Sequence, residues 1–191
     1  MAGKAQSVVF DQASRPFALY LHWPFCRAKC PYCDFNSHVS NDVDSKIFGD
    51  ALCTEMTHMA SLMPSCPPLS SLFFGGGTPS LMPPILVERL IRHAEDLFGF
   101  TGDIEITAEA NPTSVEADAM LGFQKAGVNR VSMGVQSLDD ASLKFLGREH
   151  SAADALHALD KVKKAFDRVS IDLIYALPDQ SPKAWQAMLG Q

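Results

Sequence analysis

Cys26, Cys30 and Cys33 fall within eight residues, in the stretch Tyr20-Leu-His-Trp-Pro-Phe-Cys26-Arg-Ala-Lys-Cys30-Pro-Tyr-Cys33. Thiolates are soft ligands that favour zinc and iron–sulfur clusters over hard cations. At C-x3-C-x2-C spacing, three thiolates can hold three corners of a four-iron cluster and leave one iron open to a further ligand. Zinc is the alternative, although a structural zinc site asks for a fourth nearby ligand and more usually a C-x2-C pair. His22 and His38 flank the triplet and keep zinc open, as does a third reading in which the thiols bind nothing.

A second stretch with chemical content is Gly75-Gly76-Gly77-Thr78-Pro79-Ser80. Glycines let a backbone approach a ligand closely and present its N–H and C=O groups. The run lacks the G-x-x-x-x-G-K-[ST] order of a nucleotide loop and the G-x-G-x-x-G order of a dinucleotide fingerprint. Read alone, it is equally a tight turn. Glu109, Gln136, Arg148 and Asp172 complete the candidate set. Asp172 interrupts an apolar run, where an unpaired charge would be costly. Glu109 could instead cap a loop, and Arg148 could pair at the surface with Glu149 or Asp154.

These residues need a frame. Phe17–Leu21, Leu69–Phe74, Ile104–Ala108, Arg130–Val135 and Val169–Leu177 read as strands. Helical periodicity runs from Asp42 to Met63, closed by Pro64, Pro67 and Pro68, and again from Pro83-Pro84 to Phe98. Thr113-Ser-Val-Glu116 resembles a capping box for a helix ending near Gly127. Shorter helical patterns cover Ser137–Leu146 and Ser151–Phe166, and another begins at Lys183. Five strand–loop–helix units in series predict an α/β fold, a parallel sheet with helices outside. The cysteine loop, Gly75–Ser80, Glu109, Gln136 and Asp172 gather where strands end, the edge at which such folds bind ligands. A complete eight-stranded barrel needs about 250 residues. The expectation is therefore a partial parallel (βα) barrel incomplete at the C-terminus, with residues 1–16 as lead-in and 17–191 as core.

The 191 residues carry a formal charge of −6, which argues against a nucleic-acid surface. Five cysteines, three of them clustered, argue against a disulfide framework and for a reducing compartment. Cys53 and Cys66 read as small hydrophobes. No stretch approaches the apolar length of a membrane helix. The expected location is cytoplasmic, with room for peripheral contact at the inner face of a membrane.

Taken together, the motifs resemble the radical S-adenosylmethionine (SAM) superfamily, in its coproporphyrinogen III dehydrogenase-like branch. The resemblance rests on Tyr20-Leu-His-Trp-Pro-Phe-Cys26…Cys33-Asp-Phe-Asn-Ser-His38, Phe73-Phe-Gly-Gly-Gly-Thr-Pro-Ser80, Glu109-Ala-Asn-Pro112, Asn129-Arg-Val-Ser-Met-Gly-Val-Gln136 and Asp172-Leu-Ile-Tyr-Ala-Leu-Pro178. It implies a [4Fe–4S] cluster on Cys26, Cys30 and Cys33, with SAM on the open iron and Tyr20 beside the cluster. It also implies that Gly76, Gly77 and Thr78 contact the methionine part of SAM, and that Glu109, Gln136, Arg148 and Asp172 surround the rest. Dehydrogenases of this branch have a further cysteine two residues after the third; here that residue is Phe35. The Trp-Pro-Phe-Cys and Cys-Asp-Phe-Asn-Ser forms are similar to HemW-like haem chaperones. That likeness implies haem as a ligand and respiratory haemoproteins as recipients. Oxidative decarboxylation of coproporphyrinogen III and a zinc-stabilised interaction module are the alternatives. Ala176 and Asp179 replace glycines common in the family, members are longer than this chain, and the expectation is that it is poorly stable alone.

Overall fold

The computed structural model describes residues 16–40, 42–63 and 65–191, so nearly all of the lead-in, and Pro64, lie outside it. In chain order the elements are β1 (Phe17–Trp23), β2 (Phe25–Cys26), β3 (His38–Val39), α1 (Ser45–Leu62), β4 (Leu69–Gly76), α2 (Pro84–Phe98), β5 (Phe100–Ala110), α3 (Ser114–Ala126), β6 (Arg130–Gln136), α4 (Asp140–Phe145), α5 (Ala152–Lys163), β7 (Arg168–Leu173) and α6 (Pro182–Leu189).

Five strands form one sheet in the order β1-β4-β5-β6-β7, every pair parallel. That order never reverses. Right-handed crossovers then place every connecting helix on the same face, and α1 packs on α2, α2 on α3, and α3 on α5. A doubly wound sheet would have put helices on both faces. The expected partial barrel is what the chain forms.

Strand alternation divides the work. Leu21, Trp23, Leu72, Phe74, Ile106, Ala108, Val131, Met133 and Val135 are all buried beneath the helices. Their partners include Val87, Leu90, Ile91 and Ala94 of α2 and Met120 and Phe123 of α3. Each large side chain buried this way contributes about 1.5–3 kcal/mol. The opposite face carries Tyr20, His22, Phe73, Glu105, Thr107, Glu109, Arg130, Ser132, Ser170 and Asp172. Register sets these in rows, with Thr107 beside Phe73 and Arg130, and Ser132 beside Glu109 and Ser170. Parallel strands covered on both faces read as nearly continuous apolar runs; these do not.

Several boundaries differ from the sequence reading. β5 starts at Phe100 because Phe100 pairs with Leu69, across a register irregularity that absorbs Gly102 and Asp103. β7 stops at Leu173 instead of Leu177. Beyond it Ala176 and Asp179 both adopt φ 60, the left-handed conformation glycine supplies without penalty. The capping box at α3 is only half made. Thr113 accepts from the Glu116 N–H at 3.3 Å, but the Glu116 side chain is engaged elsewhere. A reciprocal box, unexpected from sequence, opens α5 at Ser151 and Asp154.

Candidate functional site

The cysteine loop is closed by the β2–β3 pair. His38 N–H donates to Pro24 O at 2.7 Å and Ser40 N–H to Cys26 O at 3.1 Å, one on each side of the pairing. Inside, Cys33 N–H donates to Cys30 O at 3.0 Å and makes the turn that brings the later two thiols together. All three are free thiols, Cys26 buried and the others half-buried. His22 bonds the Asn36 carbonyl through Nε2 at 2.9 Å, which ties β1 to the loop. His38 is exposed. Among the described residues no group of three or more His, Cys, Asp or Glu is disposed to hold a single metal ion. A four-iron cluster asks for something different, one thiolate on each of three irons.

The glycine run packs against this loop. A Cβ on Gly77 would lie 2.8 Å from Phe25 O and 2.9 Å from Cys26 Sγ, so only glycine permits the approach. The run is not a tight turn, since β4 continues to Gly76. Nor are its amides free for a ligand. Gly76 N–H donates to Glu109 Oε2 at 3.1 Å, Gly77 N–H to Trp23 O at 2.7 Å and Thr78 N–H to Phe25 O at 2.9 Å.

Between loop and sheet edge lies an open cleft of about 160 Å³. Its wall contains Cys26, Cys30, Cys33, Gly76, Gly77, Thr78, Glu109, Gln136, Arg148 and Asp172, ten of the eleven residues picked out by sequence. The exception is Tyr20. It stacks on Phe73 with ring centroids 5.9 Å apart and lies outside the cleft wall, because its strand position directs it along the polar face below the cleft.

Burial pushes the Glu109 carboxyl above the usual glutamate range, with Asp172 adding to the shift and the Gly76 N–H and His22 opposing it. Asp172 accepts from Ser132 Oγ at 3.1 Å. Ser132 accepts from Ser170 Oγ at 3.1 Å, and Ser170 from Arg130 Nη2 at 2.9 Å. A donor chain thus runs from a guanidinium to a carboxylate in the wall. Gln136 closes β6 at φ 66, and a Cβ on Gly134 would collide with its Nε2 at 2.8 Å. Held in a sparsely populated conformation, Gln136 is strained where the wall needs it.

Arg148 makes no surface ion pair with Glu149 or Asp154. Its Nη1 donates to Cys30 Sγ at 3.3 Å and Tyr32 Oη at 3.4 Å, and its Nη2 to Asn111 Oδ1 at 2.5 Å and Gly134 O at 3.0 Å. Its Nε is buried with no partner. The Tyr32 hydroxyl is pushed up to about 12, chiefly by burial, with Arg148 opposing. Tyr32, Asn111 and Ser132 also line the cleft and were not picked out from sequence. Ser132 was signalled by the alternation of β6, whereas Tyr32 and Asn111 sat inside motifs already assigned to their neighbours.

Three free thiols, a polar wall and a half-buried guanidinium whose buried Nε lacks a partner, facing one cleft, fit a cluster with a charged organic ligand beside it. Fold and site therefore define a parallel βα barrel segment with three free thiols facing a cleft at the C-terminal ends of its strands. The sequence model of the radical SAM superfamily matches residues 20–190, and the chain belongs to that superfamily. Membership implies an iron–sulfur cluster and SAM as cofactors.

The mouse protein named radical S-adenosyl methionine domain-containing protein 1, mitochondrial, is 42% identical over 94% of this chain and 40% of its own length. A Haemophilus influenzae protein named heme chaperone HemW is 39% identical over 87% of this chain and 45% of its own. The solved structure of coproporphyrinogen III oxidase (HemN) from Escherichia coli superposes with a TM-score of 0.79 at 33% identity, covering 92% of this chain and 41% of that one. The chain thus spans less than half the length of these relatives.

Proposed function

We propose that this chain is the radical SAM portion of a haem chaperone, which binds haem, a [4Fe–4S] cluster and SAM and passes haem to respiratory haemoproteins. Cys26, Cys30 and Cys33 hold the cluster. When bound, the cluster supplies one electron at a time to the sulfonium of SAM. Glu109 receives the amine of the methionine part, Arg148 its carboxylate, and Asp172 with Gln136 the ribose hydroxyls. Gly76, Gly77 and Thr78 present carbonyl edges to the methionine chain. The donor chain ending on Asp172 keeps that carboxylate aimed into the cleft, and the burial of Glu109 strengthens any hydrogen bond it accepts.

The observation that carries the chaperone reading is Phe35. It lies on the cleft wall, 64% exposed, at the position where the dehydrogenases of this branch have a further cysteine. The relatives named heme chaperone support the same choice. Oxidative decarboxylation of coproporphyrinogen III is the second reading, favoured by the likeness to the HemN structure.

Haem titration, with product analysis on anaerobic coproporphyrinogen III, separates the two. Stoichiometric haem uptake without vinyl product is expected; a vinyl-bearing product would refute the chaperone assignment. Stoichiometric zinc without iron after anaerobic reconstitution would leave only an interaction module. No helix among the described residues is long and apolar enough to cross a membrane. We place the protein in the cytoplasm, in peripheral contact with the inner face of the membrane. The name of the mouse relative carries a mitochondrial location instead, and cell fractionation decides between them.

A further inference from the structure

Glu116 has only 5% of its surface exposed, and the reading above gives it no role. A buried carboxylate is costly unless its oxygens are hydrogen-bonded, and here both are. The Ser80 hydroxyl and the Asn111 backbone N–H, the latter at 2.7 Å, reach Oε2; the Asn111 side-chain amide donates to Oε1 at 3.2 Å. These contacts join the first turn of α3 to the glycine-rich loop and to the loop after β5.

The Asn111 amide stands between a carboxylate, which only accepts, and the Arg148 guanidinium, which only donates. One orientation satisfies both neighbours: the NH2 towards Glu116 and Oδ1 towards Arg148 Nη2, 2.5 Å away. Glu116 therefore fixes which face of the amide Arg148 meets. The same guanidinium reaches Gly134 O and Cys30 Sγ, so its position is shared by the sheet edge and the cysteine loop.

We propose that Glu116, acting through Asn111, is the positioning residue that holds Arg148 ready for the carboxylate of SAM; this rests on the SAM reading above. Glu116→Gln keeps the shape but places an NH2 against the Asn111 amide. Asn111 must then turn over and present its own NH2 to Arg148. Adding Asn111→Asp to Glu116→Gln restores the polarity, because the glutamine NH2 donates to one aspartate oxygen and Arg148 to the other.

The test uses the full chain carrying its cluster, with SAM affinity read from the concentration that perturbs the cluster's EPR signal. Glu116→Gln is expected to weaken binding about tenfold, equivalent to ~1.4 kcal/mol, with iron and sulfide content unchanged. The double variant is expected within about threefold of wild type, by restoration of the hydrogen bond. A merely structural role predicts no rescue. That outcome, or a single variant binding SAM as tightly as wild type, overturns the proposal. Exchange of the Arg148 Nε proton in the metal-free chain gives a second readout: slow in wild type, fast in Glu116→Gln, slow again in the double variant. If the wild-type chain ignores SAM, the functional reading falls, and the exchange rates alone decide whether Glu116 holds Arg148: equal rates in wild type and single variant refute it.

Discussion

Replacing Gly77 with alanine tests whether the cysteine loop is held by backbone packing or merely rests there. The new Cβ would stand 2.8 Å from Phe25 O and 2.9 Å from both Cys26 Sγ and the Pro24 carbonyl carbon, against the 3.4 Å at which ordinary contact begins. The shortfall is about 0.6 Å. The thiol can rotate away, but the two backbone atoms cannot yield easily. Gly77 N–H to Trp23 O, Thr78 N–H to Phe25 O and Ser40 N–H to Cys26 O hold that backbone from three sides. Overpacking of this kind costs about 1–3 kcal/mol, and each kcal/mol moves the melting temperature of a domain this size by about 2–4 °C. The expected result is a fall of about 5 °C in the metal-free chain, together with reduced iron per chain after anaerobic reconstitution. Gly102→Ala is the control, because a Cβ there meets nothing within 4 Å. A Gly77→Ala protein that melts with the Gly102→Ala control and takes up full iron would refute the reasoning.

Three further outcomes are expected. Ala176→Gly relieves a left-handed backbone and should raise stability by about 0.5–1 kcal/mol, the strain of an L-residue there less the added flexibility of the unfolded glycine chain; urea melts measure it. Arg130→Met and Ser170→Ala each interrupt the donor chain to Asp172 and should weaken SAM binding about threefold to tenfold by EPR titration, from a hydrogen bond worth ~1 kcal/mol. Glu109 has a raised folded-state value, so the native chain holds that proton to higher pH than the unfolded chain does. Its contribution to stability therefore falls as pH rises from the ordinary glutamate value of 4.5 through the raised one. Metal-free Glu109→Gln should match wild type below that window and melt higher above it; parallel curves across the whole range would contradict the sign.

Much of this fold is legible because parallel βα units repeat one local rule. An apolar strand, a turn and an amphipathic helix identify themselves within about thirty residues. The site was legible where one motif supplied several residues, as with the three cysteines and the glycine run. Tyr20 shows the limit: the resemblance set it beside the cluster, whereas its ring stacks on Phe73 outside the cleft wall, a contact made only in the folded sheet. Glu116 shows another. Its spacing from Thr113 satisfied a capping rule, and only tertiary contacts with Ser80 and Asn111 could redirect its side chain. The start of β5 escaped for a related reason, since Gly102 and Asp103 look like a turn until Leu69 pairs across them. The substitutions at 176 and 179 were visible as departures from the family, and their positive φ values supply the physical meaning.

The two-faced strands have an evolutionary consequence. In β6, Val131, Met133 and Val135 serve the scaffold, while Arg130, Ser132, Gly134 and Gln136 serve the polar face. Neighbouring codons thus answer to different selective pressures, one set to folding yield and the other to ligand choice. Such a sheet can drift towards a new ligand by single steps at alternate positions, without passing through unfolded ancestors.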